Sequence, residues 1–214
     1  MPRGRPPAHT RDQVVDAAIA VADTEGLAAV TMRRIATEIG AGAMSLYTYV
    51  PDKDRLVDLM VDRVGGSVPL PAATGDWRTD LLALTEMQRA LMHRHPWLPS
   101  ALPNRRLTGT NTLAYLEAGL AALAPTDLAG TAKLEILALL TGFVASYVTN
   151  ELAQAQSGVT TAEQVELIGA AVATGAFPHL AAVLAASAGD PPALPDFARI
   201  ATRMIGGLVG IDPA

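Results

Sequence analysis

The chain has 214 residues, half of them hydrophobic, with a formal net charge of −5. It has no cysteine, which excludes disulfides and thiolate metal sites. The opening run M-P-R-G-R-P-P is too polar for a signal peptide, so a cytoplasmic location is expected.

Residues 1–9 read as a flexible arm carrying Arg3 and Arg5 and no acid. A first helix starts at Thr10, where Thr10 and Gln13 have the spacing of a capping box. Val15, Ile19 and Ala22 make its inner stripe and Gly26 ends it. Then comes T-M-R-R-I-A-T-E-I-G-A-G-A-M-S-L-Y-T-Y-V-P-D-K, Thr31 to Lys53. The spacing predicts a helix over 31–39, with Thr31 as its cap and Ile35, Ala36 and Ile39 on one face. Gly40-Ala41-Gly42 breaks it with a sharp turn. A short helix over 43–49 follows, burying Leu46 and Val50 and turning Met44, Ser45, Tyr47 and Thr48 outward. Two helices on a tight turn, the second polar and aromatic outside, can place a helix in the major groove. The same geometry also suits an ordinary helical hairpin.

Further helices are predicted over 52–64, 76–94, 110–123, 126–156, 161–174, 178–187 and 196–208, and no strand pattern persists. The segment 65–75, with its Gly, Ser and Pro, is the expected boundary between a unit at 1–64 and another at 65–214. In the helix at 76–94 the stripe is Trp77, Leu81, Leu84, Gln88 and Leu91. Residues 96–109, with three prolines and two arginines, are expected to form a loop with one helical turn. The helix at 126–156 is apolar nearly all round at its centre, so it should be covered on more than one side, in the simplest case by a second subunit. Its apolar run 136–148 is shorter than the ~20 residues of a membrane span, and no membrane partner is expected.

The order of a helix ending in Gly26, T-x-R-x-I-A at 31–36, Gly40 and L-Y-x-Y-V-P-D-K at 46–53 resembles the TetR family of bacterial transcriptional regulators. The resemblance is specific over about residues 10–63 and architectural beyond. It implies an all-α chain: an N-terminal three-helix helix-turn-helix unit followed by a helical ligand-binding and dimerisation domain. It also implies a pseudo-palindromic operator bound by a homodimer and an effector cavity in the second domain. Where the family usually has a polar residue, this chain has Gly42, a weaker cap with one fewer phosphate contact.

Candidate DNA contacts follow. Tyr47 and Lys53 are expected on phosphates and Met44, Ser45 and Thr48 on bases. The family position matching Arg33 can reach a guanine, and Thr31, Ala43, Arg3 and Arg5 complete the set. The acidic total does not oppose this. Residues 67–214 carry eight basic and twelve acidic groups, so most of the negative excess lies outside the first unit.

The second unit offers apolar side chains with sparse polar groups. Met87, Leu91, Trp97, Leu113, Leu116, Phe143, Tyr147 and Asn150 are the candidate ligand contacts, though the same residues would suit a plain core. Gly142 and Ala145 on the long helix, with Phe197, Met204 and Gly206 on the last, are the candidate dimer interface. No catalytic or nucleotide-binding motif occurs, the histidines at 93 and 95 point apart on a helix, and no metal or cofactor is expected. The reading is a ligand-responsive regulator, in the repressor sense. A protein–protein adaptor and a small helical enzyme are the alternatives, from other classes.

Overall fold

The computed structural model describes residues 9–102, 109–157, 161–186 and 196–210, so Arg3 and Arg5 lie outside the described residues. Among the described residues there are α-helices and one 3-10 turn, with no strand.

The first unit is built on side-chain caps. Thr10 caps α1 (Arg11–Glu25): its Oγ1 accepts from the Gln13 amide, and Gln13 Oε1 accepts from the Thr10 amide at 2.9 Å. The core-facing stripe is Val14, Val15, Ala18, Val21 and Ala22, with Ile19 only half-buried. Gly26 ends the helix at φ 82°, where a Cβ would be strained. Thr31 caps α2 (Met32–Glu38) by accepting from the Arg34 amide, and Met32, Ile35 and Ala36 are buried. Gly40, at φ 68°, turns the chain into α3 (Ala43–Leu46), capped by Gly42 without a side chain. This helix is one turn, shorter than the span 43–49 expected. The chain continues as turns, with the Tyr49 and Val50 amides both donating to the Leu46 carbonyl. Asp52 caps α4 (Lys53–Gly65), which buries Leu56, Val57, Met60 and Val64.

The remainder comprises α5 (Trp77–Arg94), α6 (Leu98–Ala101), α7 (Thr110–Ala122), α8 (Gly130–Ser157), α9 (Thr161–Ala173), α10 (Pro178–Ala186) and α11 (Phe197–Gly210). The long helix starts at Gly130, not Thr126, because Thr126 closes the preceding turn with its hydroxyl on the Leu123 carbonyl. By length and composition α8 is apolar enough to cross a membrane. Its stripe of Ile136, Leu137, Leu140, Val144 and Val148 is instead buried against the rest of the chain. An ion cluster braces it to α5: Arg89 Nη2 to Glu151 Oε1 at 2.6 Å and His93 Nε2 to Glu151 Oε2 at 2.8 Å.

The core does not stop at the end of α4. Met60 and Val64 share one apolar cluster with Leu91, Met92, Trp97, Leu98, Val144 and Val148. A second cluster joins Leu81, Leu84, Leu123, Ile136, Leu137, Leu140 and Ile205. The helices α9 and α10 pack on each other, and α10 buries no residue.

Candidate functional site

The outer face of the α2–α3 hairpin is set by what lies beneath it. Leu46 and Val50 are completely buried, and Met44, Ser45, Tyr47 and Thr48 point away from them. Met44 is 81 % exposed and Tyr47 47 %. Ser45 and Thr48 are exposed too, but their hydroxyls donate to the Gly42 and Ser45 carbonyls at 2.6 Å, leaving acceptor lone pairs outward. Ala43 is half-buried and Thr31 is exposed at its cap. The cations divide sharply. Arg34 is held by Glu25 at 2.6 Å and Glu38 at 2.7 Å, and those hydrogen bonds push its pKa up. It braces α2 to α1. Arg33 and Lys53 are exposed and make no ion pair among the described residues, which leaves them available to phosphate or base.

The second site is a cavity of about 540 Å³ between α5, α7 and α8. Its apolar wall includes Val61, Pro99, Leu102, Leu116, Leu134, Leu137 and Ala138. Its polar groups are Gln88, Thr112, Tyr115 and Thr141. Burial pushes the Tyr115 hydroxyl up to about 12, against the opposing effect of its hydrogen bond with Thr141. A smaller lobe of about 80 Å³ shares Val61, Gln88, Leu102, Thr112 and Tyr115 and adds Met87, Leu91 and Met92.

Two carboxylates, Asp62 and Asp23, join the halves of the chain. Asp62 on α4 accepts from the Thr112 amide at 2.9 Å and from its hydroxyl at 3.1 Å. Trp97 Nε1 donates to Asp23 Oδ1 of α1 at 2.7 Å, with His95 Nδ1 on the same oxygen at 2.8 Å.

Comparison with known proteins agrees with this geometry. Residues 14–60 match the bacterial regulatory proteins of the tetR family, and residues 69–191 match the tetracyclin repressor-like C-terminal domain. The chain belongs to the TetR family. It is 37 % identical over 191 residues to the HTH-type transcriptional repressor DrrR1 of Streptomyces coeruleorubidus, spanning 85 % of this chain and 71 % of that one. An HTH-type transcriptional regulator of Saccharopolyspora erythraea is 40 % identical over 134 residues, spanning 62 % of this chain and 55 % of its own length. ActR of Streptomyces coelicolor, solved in complex with actinorhodin, superposes with a TM-score of 0.77 at 27 % identity, over 94 % of this chain and 97 % of that one. This TetR-family chain is thus an all-α DNA-binding regulator with an N-terminal helix-turn-helix and a C-terminal helical domain.

Within the regulator, several residues read from sequence as ligand contacts lie elsewhere. Met87, Leu91 and Leu116 line the cavity or its lobe. Trp97 does not, because its indole is buried and committed to Asp23. Phe143 and Tyr147 face α11, where Phe197 stacks on Phe143 at 5.8 Å and meets Tyr147 edge-on at 5.0 Å. Leu113 and Asn150 are exposed and absent from the cavity wall. The interface candidates are placed within the subunit as follows. Phe197 is buried within its own chain, Met204 packs against its second core cluster, and Gly142 and Ala145 line the cavity. A Cβ at Gly142 or Gly206 would touch nothing within the subunit, so its packing requires neither glycine. Gln88, Tyr115 and Thr141 were missed as site residues. Gln88 had a signal, a polar residue inside the apolar stripe of α5.

Proposed function

We propose that the chain is a homodimeric, ligand-responsive transcriptional repressor that a small molecule releases from its operator. The observation that carries this reading is the position of α4. Its first residue is Lys53, a short turn after α3 in the chain, while Val61 lines the cavity and Asp62 holds α7. A molecule that fills the cavity presses on the helix that carries the reading head. It can shift the equilibrium only by its differential affinity for the two arrangements, typically ~1–3 kcal/mol. DrrR1 being a repressor, and ActR holding a small molecule in the same fold, support both halves of the reading.

In this reading residues 1–64 read DNA and residues 65–214 bind the ligand and dimerise. Tyr47 and Lys53 contact phosphates. Met44, Ser45 and Thr48 face bases, and Arg33 reaches a guanine. Thr31 and Ala43 lie at the starts of the two hairpin helices, against the backbone. Arg3 and Arg5 extend the contact along the DNA. The second subunit covers α9, α10 and the turn between them, where Leu167, Phe177, Leu180, Val183 and Leu184 are exposed. An apolar helix with no buried residue is otherwise unexplained. Operator DNA puts the protein in the cytoplasm.

The test is to sequence the genomic fragments that purified protein retains. Two-fold related half-sites about one helical turn apart, roughly 34–36 Å, are expected. Fragments with no shared symmetric motif would end the reading and favour an adaptor.

A further inference from the structure

Gln88 projects from α5 at the wall of the cavity and its lobe. Its Nε2 donates to Thr141 Oγ1 on α8 at 3.1 Å. Its Oε1 is buried and has no hydrogen-bond partner among the described residues. Thr141 shares the cavity wall with Tyr115 of α7. The Gln88–Thr141 pair is thus a polar chain, with Tyr115 in the same wall, in a lining that is otherwise almost wholly apolar.

A buried carbonyl oxygen without a donor carries the full cost of its desolvation. Exchanging the amide's oxygen and nitrogen does not remove that cost. Oε1 would then accept from Thr141, and the NH₂ group would lack an acceptor. Either way the chain is open at Gln88. The last torsion of Gln88 is soft, so a small turn brings the open position to the cavity surface.

The geometry points to an uncharged, largely apolar ligand that carries a hydroxyl group and is held through that hydroxyl on Gln88. This rests on the effector reading of the cavity and adds its chemistry. A hydroxyl donates and accepts on one atom, so it satisfies either polarity of the chain. An ether or carbonyl satisfies one only. A carboxylate would bury a charge against a wall with no charged side chain among the described residues.

Equilibrium dialysis with 2-naphthol, naphthalene and 2-naphthoate tests this on the full chain. Wild type should hold 2-naphthol about tenfold more tightly than naphthalene and should not retain 2-naphthoate. In Gln88→Leu, which is apolar and close in size, the two neutral probes should bind within about twofold of each other. Leu116→Trp should lose all retention, and if it does not melt cooperatively, Ala138→Phe makes the same comparison. Equal binding of naphthol and naphthalene to wild type, or preferred binding of naphthoate, overturns the hydroxyl inference while leaving the cavity reading intact. So does a naphthol preference that persists in Gln88→Leu. If wild type retains none of the probes, or the filled variant retains them equally, the effector reading fails and this inference with it.

Discussion

Asp62 caps α7 from another helix. Gly109 occupies the N-cap position of α7 but has no side chain to offer, and the carboxylate of Asp62 on α4 accepts the Thr112 amide in its place. The absence of a side chain is required, because a Cβ on Gly109 would collide with the Asp62 carboxyl. A glycine at an N-cap here marks a close approach between helices.

The first prediction follows from that contact. Serine is ordinarily a better N-cap than glycine by a few tenths of a kcal/mol. Gly109→Ser should nevertheless destabilise the protein by about 1–3 kcal/mol, the usual cost of overpacking. Asp62→Ala should cost about 1–2 kcal/mol by leaving the start of α7 uncapped. Urea melts would read both. A Gly109→Ser protein as stable as wild type would refute the interhelix cap.

Trp97 should behave as a fastener between α1 and the α5–α6 junction. Trp97→Phe keeps most of the apolar packing and loses the bond to Asp23, at a cost of about 1–2 kcal/mol. The probes named above should bind this variant as they bind wild type, since the indole does not line the cavity. Altered probe binding at unchanged stability would return Trp97 to the ligand site.

On the DNA face, exposed and buried neighbours should separate cleanly. Tyr47→Ala should weaken binding to all sequences alike, and Arg33→Ala should relax discrimination at one base pair by ~1–3 kcal/mol. Both should melt within about 0.5 kcal/mol of wild type, as exposed substitutions do. Leu46→Ala, at a completely buried position, should cost about 2–5 kcal/mol. Fluorescence anisotropy on operator and unrelated duplexes, beside melts, distinguishes the three.

The dimer has a paired test. Val183→Asp, on the exposed face of α10, should give folded monomers that no longer bind operator. Phe197→Asp should unfold the subunit, since its ring sits between Phe143, Tyr147 and the Arg89 guanidinium. Light scattering and circular dichroism read the two outcomes. A folded, monomeric Phe197→Asp would move the interface back to α11.

Acid should loosen the α5–α8 brace. Burial alone would raise the Glu151 pKa, but hydrogen bonds from Arg89 and His93 outweigh it and hold the carboxyl below its usual range. A folded pKa below the unfolded one means the stabilisation is present above the unfolded value and is lost as pH falls through the folded one. Glu151→Gln should therefore be less stable at pH 7, by about 1 kcal/mol for a pair this open to solvent. It should also show a flatter decline below pH 4–5. Melting temperatures across that range decide it. Parallel curves would mean the brace contributes nothing.

Much of the first unit was legible in the sequence because its signals are local. A capping box at Thr10, a cap at Thr31, a positive-φ glycine at Gly40 and apolar residues at helical spacing act within a few residues of themselves. Sequence also placed Leu46 inside and Tyr47 outside, since Leu46 and Val50 keep an apolar spacing of four and Tyr47 falls off it. What it left undecided was the partner of each apolar face in the second unit. Helical periodicity tells which residues share a side and says nothing of what meets that side. On α8 this is decisive: Leu137, Ala138 and Thr141 meet the cavity, while Phe143 and Tyr147, a few residues on, meet α11. Only the packing of α5, α7 and α11 around α8 assigns those sides. Trp97 was a large apolar group with one polar handle, and only the tertiary structure gives that handle its partner, Asp23, 74 positions away in the chain.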